Sequence, residues 1–407
     1  MFYTEEEVIN WIHSFKNSKP NRNLTHLHEI LPKMANPHLK FKTIHVAGTN
    51  GKGSTVAYLR EVFMQSGYTV ATFTSPFIQT FGERISINNK PISAENLIKH
   101  ALIVKKALPG AQESFTSFDI LTLISLSYFS STHVDIAIYE TGIGGRLDAT
   151  NVIVPLATAI TNVGHDHAEI LGATQERRAS EKLGIVKSNI PLFTTEQDPS
   201  LLELFGQKAA EVGADLIQVL KYSRLESCNE MGTVFDCCGQ INLSITMKGA
   251  HQFKNAALAV AILEYLRVHS GFKDLDVYKI TDTTWLGRFE LMQETPPVII
   301  DGAHNIEGIK ALIKTVKDVY PLRKKKFVFS AIATKDAEEM LDLLQPIASN
   351  ITLTTGTHPL SLKLAGSNPD YKAVIDEEIA KLTEDEVLII CGSLYFIADA
   401  RAYLTSN

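Results

Sequence analysis

The sequence predicts a two-domain α/β protein, in which a larger N-terminal domain on a mostly parallel sheet with a small antiparallel addition is followed by a smaller α/β domain. Three observations predict it. The chain has 407 residues, more than one core ordinarily supports at about 100 to 200 residues per domain. Apolar runs of strand length alternate with helical patterns along most of the chain, the order that builds parallel sheets covered on both faces. That alternation breaks off in a polar stretch at 271–284 and then restarts. The domains are therefore placed at 1–283 and 284–407.

Each element follows from its local pattern. After a polar N-terminal helix, 41–46 reads as a strand, 47–53 as a glycine-rich turn and 54–66 as a helix with apolar residues at helical intervals. Further strands are expected at 69–73, 134–139 and 156–161, with a helix over 118–130. The stretch 234–246 reads as a hairpin around Cys238-Gly239-Gln240, assigned to the first domain, and a long helix follows over 252–268. In the second domain strands are expected at 298–300, 327–332, 351–354 and 387–390. Helices are expected at 306–319, 337–348 and 371–382, with one more at the end, a Rossmann-like succession. Two such domains create a cleft of the kind that binds ligands.

Composition narrows the function. Apolar residues make up 45% and charged residues 21%, and the net charge is −6, so no global field attracts nucleic acid or an anionic membrane. An anionic ligand must be held by local donors. The acidic start, Met1-Phe2-Tyr3-Thr4-Glu5-Glu6-Glu7, lacks the features of an export signal, and no apolar run reaches the roughly 18 residues of a membrane span. Four cysteines without metal-ligand spacing fit a reducing cytoplasm.

The strongest motif is Ala47-Gly48-Thr49-Asn50-Gly51-Lys52-Gly53-Ser54, between a strand and a helix. Glycines there let main-chain N–H groups converge on phosphate oxygens, and the helix N-terminus adds positive potential. Gly48, Thr49, Asn50, Gly51, Lys52, Gly53 and Ser54 are the nucleotide-binding candidates, with Lys52 reaching the terminal phosphates and the Ser54 hydroxyl ligating Mg²⁺. Gly53 between lysine and serine departs from the strict P-loop spacing. The competing interpretation is a plain strand-to-helix turn with a surface lysine.

Beginning at His45, this loop resembles that of the folylpolyglutamate synthases, within the Mur ligase superfamily. Similar blocks recur in the family's order: Thr74-Ser75-Pro76, Glu83-Arg84-Ile85, Tyr139 to Asn151 (YETGIGGRLDATN), Asp166-His167, Glu181-Lys182-Leu183-Gly184-Ile185, His251-Gln252, Asn255-Ala256, Gly287-Arg288, Asp301-Gly302-Ala303-His304-Asn305 and Gly392-Ser393-Leu394. Two departures stand out. Asn21-Arg22-Asn23-Leu24 replaces the family's Gly-Leu-rich entry segment, and Ile306 replaces the proline after Ala-His-Asn.

The resemblance implies a Mur-ligase-like fold and an ATP- and Mg²⁺-dependent ligase that adds L-glutamate to the γ-carboxylate of tetrahydrofolate through an acyl phosphate. Addition of the first glutamate to dihydropteroate stays open as a second activity. Other readings are a Mur-type ligase for a non-folate carboxylate, which Gly53 in place of threonine disfavours, and a catalytically silent ATP-binding module. The retention of Lys52, Glu140, His167, Lys182 and His304 together argues against the last. The expected partners are small molecules, folate or dihydropteroate, glutamate and ATP, acting on a monomer.

Glu140 ends an apolar strand, so its carboxylate emerges where ligands of parallel sheets bind and offers Mg²⁺ a hard oxygen; the bland alternative is a solvated strand-end glutamate. His167 and Ser75 are further metal candidates by resemblance, although each alone reads as a turn residue. Lys182, in a helix over 174–183, reads alone as a solvated lysine, and the resemblance implies a carbamylated lysine. Asn255, Arg288, Asp301 and His304 resemble nucleotide contacts, with a linker salt bridge and a helix N-cap as the plain alternatives for Arg288 and Asp301. Catalytic roles fall on Lys52, Lys182, His304 and Arg84, the last, like Ser393, through contact with substrate carboxylates. Trp11, Trp285 and Tyr395 are assigned to core or interface packing, and Arg323-Lys324-Lys325-Lys326 to a solvated loop.

Overall fold

The computed structural model describes residues 2–17, 23–108, 114–333 and 336–406. Asn21 and Arg22 of the entry segment lie outside them. The chain divides into two compact units, the first made of residues 1–223, 237–239 and 254–280, the second of 224–236, 240–253 and 281–407.

The first unit holds an eight-stranded sheet. Its strands are β1 (Lys42–Ala47), β2 (Val70–Phe73), β3 (Ile85–Ile87), β4 (Lys90–Pro91), β5 (Ile136–Glu140), β6 (Ala157–Ile160), β7 (Leu192–Thr194) and β8 (Leu216–Gln218), in the spatial order 4-3-2-5-1-6-7-8. Pairing is parallel from β2 through β8 and antiparallel only at the β3 and β4 edge. β1 and β5 are buried almost throughout, as strands covered on both faces are; β5 is mostly apolar, and the two polar side chains buried in β1 are hydrogen-bonded, Thr43 to the Val154 carbonyl and His45 to Thr150. One core, including Phe73, Leu123, Phe129 and Tyr139, packs on this sheet; a second gathers Ile160, Ala179, Leu183, Leu192 and Phe205. The helices Lys52–Gln65 and Ser117–Ser131 lie within one or two residues of their expected spans.

A three-stranded antiparallel sheet follows: β9 (Ser223–Asn229), β10 (Gly232–Cys237) and β11 (Gln240–Ile245), in the order 11-10-9. The expected hairpin is β10 and β11, and β9 is an addition that its polar, exposed sequence hid. Most residues of this sheet group with the second unit. The physical reason is local: the Thr246 amide donates to the Thr281 carbonyl at 3.1 Å, and Gly249 sits so close to Thr315 that an added Cβ would lie 2.5 Å from its hydroxyl.

The second unit carries a five-stranded sheet of β12 (Glu290–Gln293), β13 (Val298–Ile300), β14 (Lys324–Phe329), β15 (Ala348–Leu353) and β16 (Glu386–Cys391), ordered 12-13-16-14-15. It is parallel except for β12 against β13. Its core joins Ile299, Ile309, Val316, Phe327, Phe329, Leu344 and Ile389. The basic run is not a loop here: Lys324, Lys325 and Lys326 start β14, beside β16, and acidic residues at that end receive Lys324 and Lys326, while Lys325 donates to the Pro321 carbonyl. Lys326 pairs with Glu386 at 3.2 Å and Lys324 with Asp385 at 3.0 Å. Tyr395, expected in packing, is instead 42% exposed and stacks on His358 with ring centroids 4.0 Å apart.

Among the described residues no helix is long and apolar enough to cross a membrane.

Candidate functional site

Strand order fixes where the phosphate loop stands. β1 lies between β5 and β6, with Val46 opposite Glu140 and Ala47 opposite Ile160. The ladder runs on past the strands, from the Thr141 amide to the Val46 carbonyl and from the Thr161 amide to the Ala47 carbonyl. The loop after β1 therefore emerges with Glu140 on one side and Thr161 and Asn162 on the other, at the carboxyl edge of a parallel sheet.

Two glycines are required by contact. Gly48 has φ +150°, and a Cβ on it would lie 1.8 Å from the Thr161 hydroxyl. Gly51 has φ +88°, and its Cβ would lie 2.2 Å from Asn255 Oδ1, which brings Asn255 to the loop. Gly51 also stands at the N-cap of the helix Lys52–Gln65 without a side chain to cap it. The first turn thus presents its positive end to the loop, where an anion is favoured. Thr161 and Asn162 hold the loop from outside: Thr161 Oγ1 donates to the Asn50 carbonyl at 2.6 Å, and the Asn162 side chain both donates to that carbonyl (2.9 Å) and accepts from the Asn50 amide (3.1 Å). Sequence reasoning missed this pair, whose signal was their place just after a buried strand that pairs with β1.

Lys52 folds back on its own loop, its ammonium donating to the carbonyls of Gly48 (3.0 Å) and Thr49 (3.2 Å) and standing 4.0 Å from Glu140 Oε1. Glu140 is buried and accepts from the Ser75 amide at 3.3 Å. Ser75 is thereby placed at the site, through its main chain. Ser54 is buried in the first turn of the helix. His167 stands outside the short helix Ala168–Leu171 in a left-handed conformation, φ 53°, with its amide donating to Asp166 Oδ1 at 2.9 Å.

Lys182 is not the solvated lysine its helix suggests. It is 3% exposed, and burial lowers its pKa to about 7, with the positive charges of Lys52 and Arg178 acting in the same direction and Asp166 opposing. These influences put Lys52, Asp166 and Lys182 in one electrostatic neighbourhood. Arg84 lies 5.2 Å from the ring centre of Phe77 and 5.9 Å from that of Phe81, a cation held over aromatic faces.

The second unit gathers the other candidates around the end of β13. The Asp301 carboxylate accepts from the amides of Phe289 and Ala303, each at 2.8 Å, while the Asp301 amide donates to Ile390. It is not the helix cap, because Asn305 takes that role by accepting from the Gly308 amide at 2.8 Å. Burial raises the Asp301 pKa, opposed by the nearby Arg288 guanidinium and the two amides. His304 Nδ1 donates to the Gly302 carbonyl at 2.7 Å, which fixes its ring and leaves Nε2 on the far side. Ser393 is buried beside Gly392, whose amide donates to Ala303.

The Mur ligase middle domain matches residues 46–263, and the Mur ligase glutamate ligase domain matches residues 287–394. The chain is 36% identical to the dihydrofolate synthase/folylpolyglutamate synthase of Bacillus subtilis, covering 99% of this chain and 100% of that protein. To the folylpolyglutamate synthase of Lacticaseibacillus casei it is 32% identical, over 99% of each. A solved FPGS-AMPPCP-folate complex superposes with a TM-score of 0.87 at 28% identity, over 99% of this chain and 100% of that one. Likeness along the whole length, in a fold whose phosphate loop is built as described, places the chain in the folylpolyglutamate synthase/dihydrofolate synthase family of Mur ligases.

Proposed function

We propose that the protein is an ATP-dependent ligase that joins the amine of L-glutamate to the γ-carboxylate of tetrahydrofolate. The observation that carries this reading is the uncapped, glycine-built loop at the end of β1 with Lys52 and Glu140 facing each other beside it. The structural relative named for its AMPPCP and folate ligands supports it.

The chemistry asks for a carboxylate to be made electrophilic. Transfer of the ATP γ-phosphoryl group to the folate γ-carboxylate forms a C–O–P linkage and releases ADP. The neutral amine of glutamate then attacks the carbonyl carbon, phosphate departs with the C–O electron pair, and the nitrogen loses a proton. The chain's task is positioning and charge stabilisation. Lys52 exchanges its two loop carbonyls for phosphate oxygens, which have the greater charge. The amides of the first helical turn hold the remaining phosphate oxygens.

The donor set fits Mg²⁺: Ser54 and Glu140 offer hard oxygens, both buried, and Glu140 already faces a cation. Ser75 and His167 complete the proposed set, and the bound ion supplies neutralisation of phosphate charge. Lys182 fits carbamylation, since a buried amine with a pKa of about 7 is substantially neutral at that pH and can add to CO₂, releasing one proton. The resulting anion would lie among the cations Lys52 and Arg178. Asn255, Arg288, Asp301 and His304 are proposed as nucleotide contacts, and Arg84 and Ser393 as contacts to substrate carboxylates. Four unpaired cysteines and a net charge of −6 support a cytoplasmic monomer acting on small molecules.

A second reaction, first glutamate addition to dihydropteroate, is favoured by the double name of the Bacillus subtilis relative. ADP formation by the purified protein, measured with tetrahydrofolate or dihydropteroate as acceptor, tests both. The expected rate requires ATP, glutamate and an acceptor together. ADP release indifferent to omission of glutamate or acceptor would overturn the ligase assignment, and turnover with tetrahydrofolate alone would remove the second reaction.

A further inference from the structure

Arg178 is 5% exposed, and so far it has entered only as a positive charge near Lys182. It lies on the helix Gln175–Leu183, one turn before Lys182. Its guanidinium donates to three main-chain carbonyls, from Nε to Gly164 at 2.9 Å and from Nη1 to Gly172 at 3.2 Å and Ala173 at 2.8 Å. Those acceptors stand at the two ends of a single loop, and Asp166 and His167 lie between them.

The same loop is fastened on its other side. The Gly164 amide donates to Thr49 Oγ1 at 2.9 Å, and the Asn162 carbonyl accepts from the Thr49 amide at 3.0 Å. Gly164 thus links the phosphate loop to Arg178. Within the loop His167 adopts φ 53°, a conformation uncommon outside glycine and one that its surroundings must maintain.

Packing alone does not account for a guanidinium here. Removing the charge from water is costly, and an apolar side chain could occupy the space without that penalty. What the guanidinium provides is geometry: a rigid planar fork whose donors fix both loop ends relative to one another, where a lysine ammonium would be a single point. Its charge also disfavours an ammonium on Lys182.

We propose that Arg178 is a positioning residue of the ligase, which by fastening both ends of the 164–173 loop sets His167 and Asp166 against the phosphate loop. The proposal rests on the reading of His167 as a metal ligand.

Its test compares ADP affinity in excess Mg²⁺ with that in EDTA, by titration calorimetry on the full-length protein and its variants. In the wild type Mg²⁺ is expected to tighten ADP binding. Arg178→Met, and Arg178→Lys, which keeps the charge without the fork, are expected to lose about tenfold of that tightening, the value of one charge-assisted hydrogen bond. Their ADP affinity in EDTA should stay near the wild-type value. If the Met variant does not fold, the Lys variant decides. A folded variant with the full Mg²⁺ gain overturns the proposal, and so does an equal loss in both media, which assigns Arg178 to fold support alone. A wild type without any Mg²⁺ gain removes the metal reading and this proposal with it.

Discussion

A buried amine makes the first unit's chemistry visible in its stability. Lys182 titrates near 7 in the folded chain and near its ordinary 10.5 when unfolded. Between those values the unfolded state binds the extra proton, so stability rises with pH, by up to about 1.4 kcal/mol per unit. Below pH 7 both states are protonated and the burial penalty is present in full. Lys182→Met deletes the titrating group and keeps the volume. Urea unfolding of apo protein between pH 6 and 10, in CO₂-free buffer, should show the variant more stable than the wild type at pH 6 to 7. The difference should shrink as pH rises, while ligase activity is lost. A pH-independent difference would show that the ammonium is hydrated in the native state and that Lys182 is not poised for CO₂.

At the scale of elements, the phosphate loop is a strand-to-helix joint clamped by the next strand over. Gly48 meets Thr161, which follows directly on β6 and cannot withdraw without breaking the hydrogen bond its amide donates to the Ala47 carbonyl. Gly48→Ala is therefore expected to weaken ADP binding at least tenfold and to lower the melting temperature, because a methyl group 1.8 Å from a hydroxyl oxygen must displace backbone. Thr161→Ala in the same chain should restore only part, since the Cβ of residue 161 at 3.0 Å and its nitrogen at 3.2 Å remain, and φ +150° at position 48 is strained for any L side chain. This clamp also explains what the sequence disclosed and what it did not. The loop, the helix Lys52–Gln65 and Glu140 at the end of β5 were legible because each is local: glycines, periodicity and an apolar run that stops. Thr161 and Asn162 were not, because they hold the carbonyl and amide of Asn50, distant in sequence, and strand order is not written in any one segment; Arg178 was not, because its acceptors, although near in sequence, meet it only through the way the 164–173 loop folds back on its helix. Lys182 was half legible: its helix and its resemblance could be read, but its burial comes from tertiary packing that a helical pattern does not record. The same limit hid β9, whose polar residues give no strand signal, and misplaced Lys324 to Lys326, whose strand is specified by acidic partners at the far end of the chain.

At the scale of the whole molecule, binding at the end of β1 must be felt by the core that surrounds it. β1 is an interior strand, buried on both faces and paired on both edges, so a ligand gripping the loop beyond it binds the folded state alone. By mass action, ADP with Mg²⁺ at a hundred times its dissociation constant adds about 2.7 kcal/mol to stability. The ammonium of Lys52 contributes to that grip, and among the described residues its polar partners in the apo protein are two carbonyls of its own loop and the Glu140 carboxylate. Lys52→Ala should consequently leave the apo melting temperature within a few degrees of the wild type, remove most of the nucleotide-induced rise, and lower turnover by at least about a hundredfold. Thermal denaturation with and without ADP and Mg²⁺, alongside ADP formation in the presence of tetrahydrofolate and glutamate, reads all three. A variant that keeps full turnover and the full thermal shift would show that the loop after β1 is a turn and that the nucleotide is held elsewhere.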